Sequence, residues 1–253
     1  MIKNIVLDVE NLSKTYTGDG FEVKALDNVS FQLHKGEIIA IMGTSGSGKS
    51  TLLNILGALD KPNLGSIRLN GQYVKDIFTE PFASIYRQEN IGFIFQSFNL
   101  LKDLSVEENI SLPLILQKRD KKEIESKVNR IIELLGLTKW KNHRPVQLSG
   151  GQQQRVAIGR AIITSPPIIL ADEPTGNLDF NTSSEILHIL VEMKKEFNQS
   201  ILIVTHDANV ATYADRVLFF HDGKIVDEYE CEQFGSLDAI LTKFKRVTER
   251  REI

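Results

Sequence analysis

The 253-residue sequence predicts an α/β fold with an antiparallel β part and a helical part. Residues 38–42 and 168–171 are apolar throughout, which is typical of strands buried on both faces of a sheet. In the first 35 residues apolar and polar side chains alternate, as in an antiparallel sheet with one solvated face. Between residues 97 and 147 the apolar spacing becomes helical. We therefore expect a core sheet, a smaller antiparallel sheet and a helical insertion.

Strand and turn patterns place the β elements. Alternating apolar residues predict two strands near the N-terminus, namely Ile5, Leu7, Val9 and then Val29, Phe31, Leu33. Residues 66–74 read as a hairpin around Asn70-Gly71, and Asp222-Gly223 predicts a last hairpin, because both turns favour positive φ. Further apolar runs predict core strands at residues 91–95, 201–204 and 217–220.

Capping patterns place the helices. Ser105 with Glu108, and Asp120 with Glu123, have the spacing of capping boxes. We expect Pro113 to kink or end the first of these helices. A short amphipathic helix is predicted from Ser236 onward and is interpreted as a solvated C-terminal tail.

Composition excludes several classes of protein. The 30 basic and 33 acidic residues leave a net charge of −3, so the basic excess of a non-specific nucleic-acid binder is missing. We expect no nucleic-acid partner. The single cysteine, Cys231, rules out an internal disulfide framework and a cysteine-rich zinc site.

Hydropathy argues against a membrane span. No apolar run approaches the roughly 20 residues that cross a bilayer, and the N-terminal segment becomes acidic at Asp8, too early for a secretory signal peptide. The sequence predicts a cytoplasmic protein whose role at a membrane, if any, requires a partner.

A glycine-rich loop between a buried strand and a helix carries the strongest motif. It matches G-x-x-x-x-G-K-[ST] and consists of Gly43, Thr44, Ser45, Gly46, Ser47, Gly48, Lys49, Ser50 and Thr51. Its glycines allow backbone N–H groups to wrap a phosphate, and the helix dipole favours the same anion. Lys49 can reach the β- and γ-phosphates and Ser50 can bind Mg²⁺. The alternative is a flexible Gly/Ser turn.

Two adjacent carboxylates end the apolar run 168–171. Successive strand residues face opposite ways, so Asp172 and Glu173 cannot do the same job. We assign Asp172 to the Mg²⁺ shell and Glu173 to polarising the attacking water. On its own this pair could equally cap a helix.

A second glycine motif suggests a site shared between two protomers. A second helix is predicted to start at Ser149, Gly150, Gly151 and Gln152, and its N-terminus makes a second anion-binding site. One nucleotide needs one phosphate cradle, so the second is expected to close over ATP held by another protomer. Read alone, the string is an ordinary glycine turn before a polar helix.

Gln96 lies between the glycine-rich loop and residues 149–152, which we call the signature motif, and His206 follows Asp172-Glu173. This order of motifs resembles that of the nucleotide-binding subunit of ATP-binding cassette (ABC) transporters. The resemblance implies a P-loop ATPase with a RecA-like core, an antiparallel β subdomain and a helical subdomain at about 97–160. It implies one nucleotide-binding domain over residues 3–231 and a C-terminal helical tail over 232–253.

The resemblance also implies roles for single residues. Tyr16 would stack on adenine, Gln96 would sense Mg²⁺ and water, and His206 would contact the γ-phosphate. Asp179, in Asn177-Leu178-Asp179, matches the loop that crosses the dimer interface, although many members have Ser-Ala-Leu-Asp where this chain has Gly-Asn-Leu-Asp. The alternatives are a sheet-edge tyrosine for Tyr16, a strand-end polar residue for Gln96 and a structural histidine for His206.

Residues 93–101, 106–114 and 173–179 are similar to the branch with macrolide-export, lipoprotein-release and cell-division cassettes and the antimicrobial-peptide exporters. The resemblance implies ATP and Mg²⁺, a head-to-tail homodimer, and an integral membrane permease that this chain would join from the cytoplasm, at the inner face of the cell membrane. Phe98, Leu100 and Leu101, within residues 97–113, would dock that partner or else lie in the core. The alternative functions are a cell-division ATPase that regulates cell-wall hydrolases, a soluble ABC protein of translation or DNA repair, and a small-molecule kinase.

Overall fold

The computed structural model describes residues 4–18, 20–74, 76–231 and 236–249. Ten strands form one four-stranded and one six-stranded sheet within these residues. The strands are β1 (Ile5–Gly18), β2 (Phe21–His34), β3 (Ile38–Gly43), β4 (Leu64–Leu69), β5 (Gln72–Tyr73), β6 (Ile91–Ile94), β7 (Ile168–Asp172), β8 (Ser200–Thr205), β9 (Arg216–His221) and β10 (Lys224–Glu230).

Helices occupy most of the connections between strands. They are α1 (Lys49–Leu56), α2 (Phe82–Asn90), α3 (Val106–Leu116), α4 (Lys121–Leu134), α5 (Gly150–Ile162), α6 (Phe180–Phe197), α7 (Ala208–Ala211) and α8 (Leu237–Glu249), with two 3₁₀ turns at Thr138–Trp140 and Pro145–Gln147. None of the helices within the described ranges is both long enough and apolar enough to traverse a bilayer.

The two sheets differ as the apolar patterns predict. The four-stranded sheet, in the order β2-β1-β4-β5, is antiparallel throughout. The six-stranded sheet runs β10-β9-β3-β8-β7-β6, with parallel pairing from β9 to β6 and β10 antiparallel at one edge. The predicted α/β fold with a separate antiparallel sheet is therefore confirmed.

Alternate residues of the central strand β3 enter two different cores. Ile39 and Ile41 pack with the antiparallel sheet and α1, whereas Ile38, Ala40 and Met42 pack with the opposite layer of helices. Strand side chains alternate between the faces of a sheet, so an unbroken apolar run is required where both faces are covered. The strand before the glycine-rich loop is thus fixed from two sides.

The predicted turns adopt the expected backbone. Asn70 and Gly71 have φ of 49° and 77°, and Asp222 and Gly223 have φ of 44° and 76°. Both pairs connect antiparallel strands, β4 to β5 and β9 to β10. These predictions are confirmed because the left-handed region is open to glycine and tolerated by Asn and Asp.

The helix caps are confirmed at one position and partly wrong at the other. Ser105 and Glu108 form a complete capping box at α3. Asp120 caps α4 by accepting from the Lys122 N–H at 2.9 Å, but Glu123 pairs with Lys127 at 2.9 Å instead of completing a box.

Two helical features depart from the sequence-based expectations. Pro113 does not end α3, which continues to Leu116 because Ile110 and Leu114 are both buried and packing outweighs the lost hydrogen bond. Helix α2, which buries Ala83 and Tyr86, was not predicted.

The predicted C-terminal helix is present as α8, but it is not simply solvated. Ile240 and Val247 are buried against the core. Residues 232–235 and 250–253 of the predicted tail lie outside the described residues.

Candidate active site

The glycine-rich loop, Gln96, Asp172, Glu173 and His206 meet at the carboxyl edge of the six-stranded sheet. Strands β3, β7 and β8 are parallel neighbours, so the residues that follow them share one edge. The glycine-rich loop follows β3, Glu173 follows β7 and His206 follows β8. An open cleft of about 530 Å³ lies there, lined by Thr44, Ser45, Gly46, Lys49, Ser50, Gln96, Asp172, Glu173, His206 and Phe244.

The loop geometry requires its glycines. Gly48, the N-cap of α1, has φ of 105°, and a Cβ there would collide with the backbone oxygen of Ala25. Gly46 has φ of 78° with open space around it. Glycine at the N-cap has no side chain to accept a hydrogen bond, so the first N–H groups of α1 receive no side-chain cap from that position.

Lys49 is held over the loop by two backbone carbonyls. Its Nζ donates to the backbone oxygens of Gly43 at 2.9 Å and Thr44 at 2.8 Å. Burial lowers the pKa of Lys49, and the nearby Glu173 and Asp172 carboxylates partly oppose that shift. A phosphate oxygen would replace the two carbonyls and compensate the buried charge more fully.

Asp172 and Ser50 face each other as the motif predicts. The Ser50 hydroxyl donates to Asp172 Oδ1 at 3.4 Å. Burial raises the pKa of Asp172, the Ser50 bond lowers it, and the neighbouring Glu173 charge raises it again. A divalent cation at this point would relieve both the burial and the repulsion.

Glu173 follows the end of β7 and has different partners from Asp172. It has φ of 46° and its N–H donates to the Val204 oxygen at 3.0 Å. Its Oε2 accepts from Thr205 Oγ1 at 3.2 Å, and its Oε1 lies 2.7 Å from Nδ1 of His206. The carboxylate is therefore oriented by β8, and His206 is its partner in this structure.

Gln96 is joined to the loop before α6. Its backbone oxygen accepts from Asn177 Nδ2 at 2.9 Å, and a Cβ on Gly176 would lie 2.7 Å from Gln96 Nε2. The glycine at 176 thus leaves space for this side chain, which lines the same cleft as Lys49.

Tyr16 stands beside the helix that follows the loop but does not line the cleft among the described residues. Its hydroxyl donates to Asp60 Oδ2 at 2.5 Å and Lys14 Nζ lies 4.7 Å from its ring centroid. Burial, and next the bond to Asp60, raises the pKa of Tyr16, while a bond with Thr51 lowers it. The ring is fixed near the first turn of α1.

Among the described residues that line the cleft, none comes from the signature motif, residues 149–152. Ser149 is the N-cap of α5, accepting from the Gln152 N–H at 3.3 Å while Gln152 Oε1 accepts from the Ser149 N–H at 2.9 Å. A Cβ on Gly151 would collide with Thr182 Cγ2, and one on Gly150 would lie 3.2 Å from Leu178. One chain therefore keeps the two glycine motifs apart.

Asp179 lies next to this second motif. Its carboxylate accepts from Thr182 Oγ1 at 2.6 Å and from the N–H groups of Asn181 and Thr182 at 3.1 Å each. The hydroxyl bond and the backbone bond from Thr182 are the main reasons that its pKa is lowered. Asp179 thus caps α6 next to Gly150, which a Cβ would bring within 3.2 Å of Leu178, and next to the buried Gly151, which packs on Thr182.

The donor set fits a nucleotide and a magnesium ion. The hydroxyls of Thr44 and Ser47 are buried and find no partner among the described residues. Those residues also contain no cluster of three or more His, Cys, Asp or Glu suited to a metal. Mg²⁺ typically takes one or two carboxylates with substrate phosphates, so Ser50, Asp172 and Gln96 suffice in number.

Phe244 is a cleft residue that the sequence analysis missed. It comes from α8, some 70 residues beyond Glu173 in the sequence. The amphipathic pattern of the tail was visible, but which core the apolar stripe covers depends on tertiary packing.

Comparison with known proteins agrees with this geometry. The chain matches the ABC transporter family over residues 26–176. It is 42% identical over 233 residues to the ABC transporter ATP-binding protein MJ0796 of Methanocaldococcus jannaschii, covering 90% of this chain and 99% of that one. It is 44% identical over 223 residues to the macrolide export ATP-binding/permease protein MacB of Chlorobaculum tepidum, covering 88% of this chain but only 34% of that relative.

A solved structure gives the same result. The dimeric post-hydrolysis state of MJ0796 bound to ADP and Pi superposes with a TM-score of 0.80 at 41% identity, over 88% of this chain and 98% of the other. The chain therefore belongs to the ABC transporter family, as an ATP-binding and ATP-hydrolysing subunit.

Proposed function

We propose that two copies of this chain hydrolyse ATP as a head-to-tail pair. The observation that carries the proposal is the separation of the two glycine motifs. The cleft holds Lys49 and the carboxylates, while Ser149 is exposed and Gly150 half-buried on another surface of the same chain, with Gly151 buried behind them. A second copy, turned about a twofold axis, can bring its signature motif to the open mouth of the cleft. The solved MJ0796 dimer supports this arrangement by analogy.

Within one cleft, each group has a task that follows from its position. The loop N–H groups and Lys49 bind the β- and γ-phosphates. Tyr16 lies outside the cleft lining, near the first turn of α1, and its proposed stacking on adenine rests on the family resemblance. Ser50, Asp172 and Gln96 would hold Mg²⁺, which neutralises phosphate charge when it is bound. From the second copy, Ser149, Gly150, Gly151 and Gln152 add donors to the γ-phosphate and Asp179 borders the contact.

The water is activated by Glu173. Its carboxylate is held by Thr205 and His206, and it faces the cleft next to Lys49. A water placed between Glu173 and the γ-phosphate gives a proton to the carboxylate as its oxygen bonds to the γ-phosphorus. The bond from that phosphorus to the bridging oxygen of the β-phosphate breaks, so ADP leaves and inorganic phosphate forms. His206, paired with Glu173 in this structure, can then turn its other ring nitrogen to the γ-phosphate.

A complementation experiment tests the shared site. Lys49→Ala damages the loop half and Ser149→Arg damages the signature half, so each variant alone has two defective sites per pair. In a mixed pair one site carries both defects and the other carries none. We expect each variant to be nearly inactive alone, and the mixture to recover ATP hydrolysis as pairs exchange.

The control mixes two Lys49→Ala preparations with different affinity tags, which must stay inactive. If both variants are folded and the mixture of Lys49→Ala with Ser149→Arg recovers no ATP hydrolysis, the head-to-tail site is wrong.

We further propose that a membrane permease binds a groove between α2, β6, α3 and α5. The groove has a volume of about 590 Å³. Its lining combines apolar side chains with two arginines, and includes Arg87, Phe93, Phe95, Asn99, Leu112, Pro113, Leu116 and Arg160. The occupant that we propose is an amphipathic cytoplasmic helix of the permease, because MacB relatives carry both functions in one chain.

This groove revises the docking residues expected from the sequence. Leu100 packs against the core and Phe98 lies near Gly150, so neither lines the groove; Leu101 is exposed outside it. Arg160 shapes the wall by donating to the backbone oxygens of Asn99 at 2.7 Å and Phe98 at 3.1 Å. The predicted segment 97–113 contributes Asn99, Leu112 and Pro113 instead.

Affinity purification from the native membranes tests the groove. Leu116 and Leu134 are both exposed leucines, at 67% and 41%, but only Leu116 lines the groove. We expect Leu116→Arg to lose a co-purifying integral membrane protein that the wild-type chain and Leu134→Arg retain, with ATP hydrolysis of the isolated chain unchanged. Equal retention by both variants would place the partner elsewhere.

Location and cargo follow from the partner. We propose that the chain works at the inner, cytoplasmic face of the cell membrane and powers export or removal of a macrolide, an antimicrobial peptide or a lipid-linked molecule. The names of the MacB relatives support the first of these cargoes. Sequencing the co-purified permease would decide among them.

A further inference from the structure

Helix α8 brings an aromatic side chain to the catalytic cleft. Phe244 lines it together with Lys49, Glu173 and His206, at the end where the γ-phosphate is expected. The family match ends at residue 176, so this contribution comes from a part of the chain beyond it.

Two kinds of contact fix α8 in place. Ile240 and Val247 are 0% and 4% exposed, and they flank Phe244 by one turn on either side. Lys243 Nζ donates to both carboxylate oxygens of Asp227, at 2.9 and 2.8 Å, and to the Glu228 oxygen at 3.2 Å. Phe244 is therefore built into the cleft wall by the core and by strand β10.

The exposed side of α8 carries further apolar side chains next to Phe244. Leu237 and Leu241 are 37% and 45% exposed and precede Phe244 by seven and three residues, so the three lie along one stripe. Apolar side chains at the edge of a polar cleft gain free energy only when something covers them.

We propose that Phe244 belongs to the contact between two copies of this chain, where it closes the γ-phosphate end of one cleft and is covered by the signature-bearing copy. The occupant is a second copy because the cleft must receive Ser149 and Gly151 from outside, across the mouth that Phe244 borders. This inference rests on the head-to-tail pair of the proposed function.

Pairing measurements in a chain that cannot turn over ATP test the contact. In Glu173→Gln, saturated with Mg·ATP, sedimentation velocity gives the dissociation constant of the pair and calorimetry gives nucleotide affinity. We expect Phe244→Ser to raise the dissociation constant about tenfold or more, since two phenylalanines are lost per pair, and Phe244→Leu to raise it less. Nucleotide affinity should change far less than pairing.

The matched control is Lys245→Ala, the next residue of α8, whose exposed side chain pairs only with Glu249 at 3.6 Å among the described residues. It should pair like the parent chain. If Phe244→Ser pairs as tightly as Lys245→Ala, the inference is wrong while the proposed function stands. If Glu173→Gln itself does not pair with ATP, the proposed function fails first.

A photocrosslink locates the neighbour directly. p-Benzoylphenylalanine replaces Phe244 in the Glu173→Gln chain, which keeps an aromatic ring in the cleft. On irradiation we expect a covalent pair whose yield depends on ATP, with the attached peptide in residues 148–155 of the second copy. Attachment only within the same chain, or a yield independent of ATP, would overturn the inference.

Discussion

Glycines stand at the N-termini of both α1 and α5, before the first helix and in the first turn of the second, yet the two termini differ in which N–H groups remain unbonded. At α1 the N-cap is Gly48, so the first N–H groups have no side chain from that position to satisfy them. At α5 Ser149 and Gln152 satisfy one another's N–H groups in a full capping box. The first terminus is prepared to bind an anion alone, whereas the second has little left to offer except the Ser149 hydroxyl hydrogen and two glycine N–H groups.

The difference indicates a division of labour. In the proposed head-to-tail pair, one half binds the nucleotide, with Lys49 supplying the charge, and the other half recognises a nucleotide that is already bound. Four variants test this contrast.

Glu173→Gln should have the largest effect because it removes the base and leaves both termini intact. We expect hydrolysis to fall by about 10²–10⁴-fold, with ATP still bound and a stable pair accumulating. Phosphate release and gel filtration measure the two outcomes. Glu185→Gln, on α6 and paired with Arg155 at 2.7 Å, is the control and should hydrolyse normally. Full turnover in Glu173→Gln would remove Glu173 from the mechanism.

Lys49→Ala attacks the first terminus. Loss of a charge-assisted bond to phosphate should weaken ATP binding about ten- to hundredfold, measured by calorimetry on the isolated chain. Lys35→Ala, an exposed lysine beyond the cleft, should bind normally. Unchanged affinity in Lys49→Ala would contradict the idea that this half binds alone.

Ser149→Ala attacks the second terminus, and Ser105→Ala is its matched control because both serines complete capping boxes. Each loss should cost about 1 kcal/mol of unfolding free energy, or roughly 2–4 °C in Tm. Only Ser149→Ala should also slow hydrolysis, and neither should alter ATP affinity. Equal hydrolysis in the two variants would reduce Ser149 to a helix cap.

Tyr16 should show the smallest effect. If its ring stacks on adenine, Tyr16→Ala should weaken ATP binding by a few-fold to about tenfold, while Tyr16→Phe, which loses the bond to Asp60, should bind nearly as the parent does. Fluorescence titration with ATP and inorganic triphosphate separates the base from the phosphates. An equal loss for both ligands would mean that Tyr16 only supports the sheet edge.

Most of the fold could be predicted because the residues that determine each element are close together in the sequence. The unbroken apolar run of β3, the positive-φ turn at Asn70-Gly71 and the Ser105 capping box are each set by neighbouring residues. Helix α2 and the passage of α3 through Pro113 could not be predicted, because both depend on burial against distant elements.

The site divides in the same way. The glycine loop and Asp172-Glu173 lie at strand ends, and the order of the motifs suffices to bring them together. The positions of Phe244 in the cleft and of Arg160 in the groove wall depend on tertiary packing, which the local sequence pattern does not predict.

Phe95 and Gln96 are consecutive residues, yet the first lines the groove and the second lines the cleft. Strand β6 ends at Ile94, so a single peptide unit joins the two surfaces, and Asn177 Nδ2 donates to the backbone oxygen of Gln96. A permease helix bound in the groove, as proposed, would therefore contact the residue next to Gln96 in the chain. The proposed permease site and the nucleotide cleft are thus connected through one peptide unit and not through the central sheet.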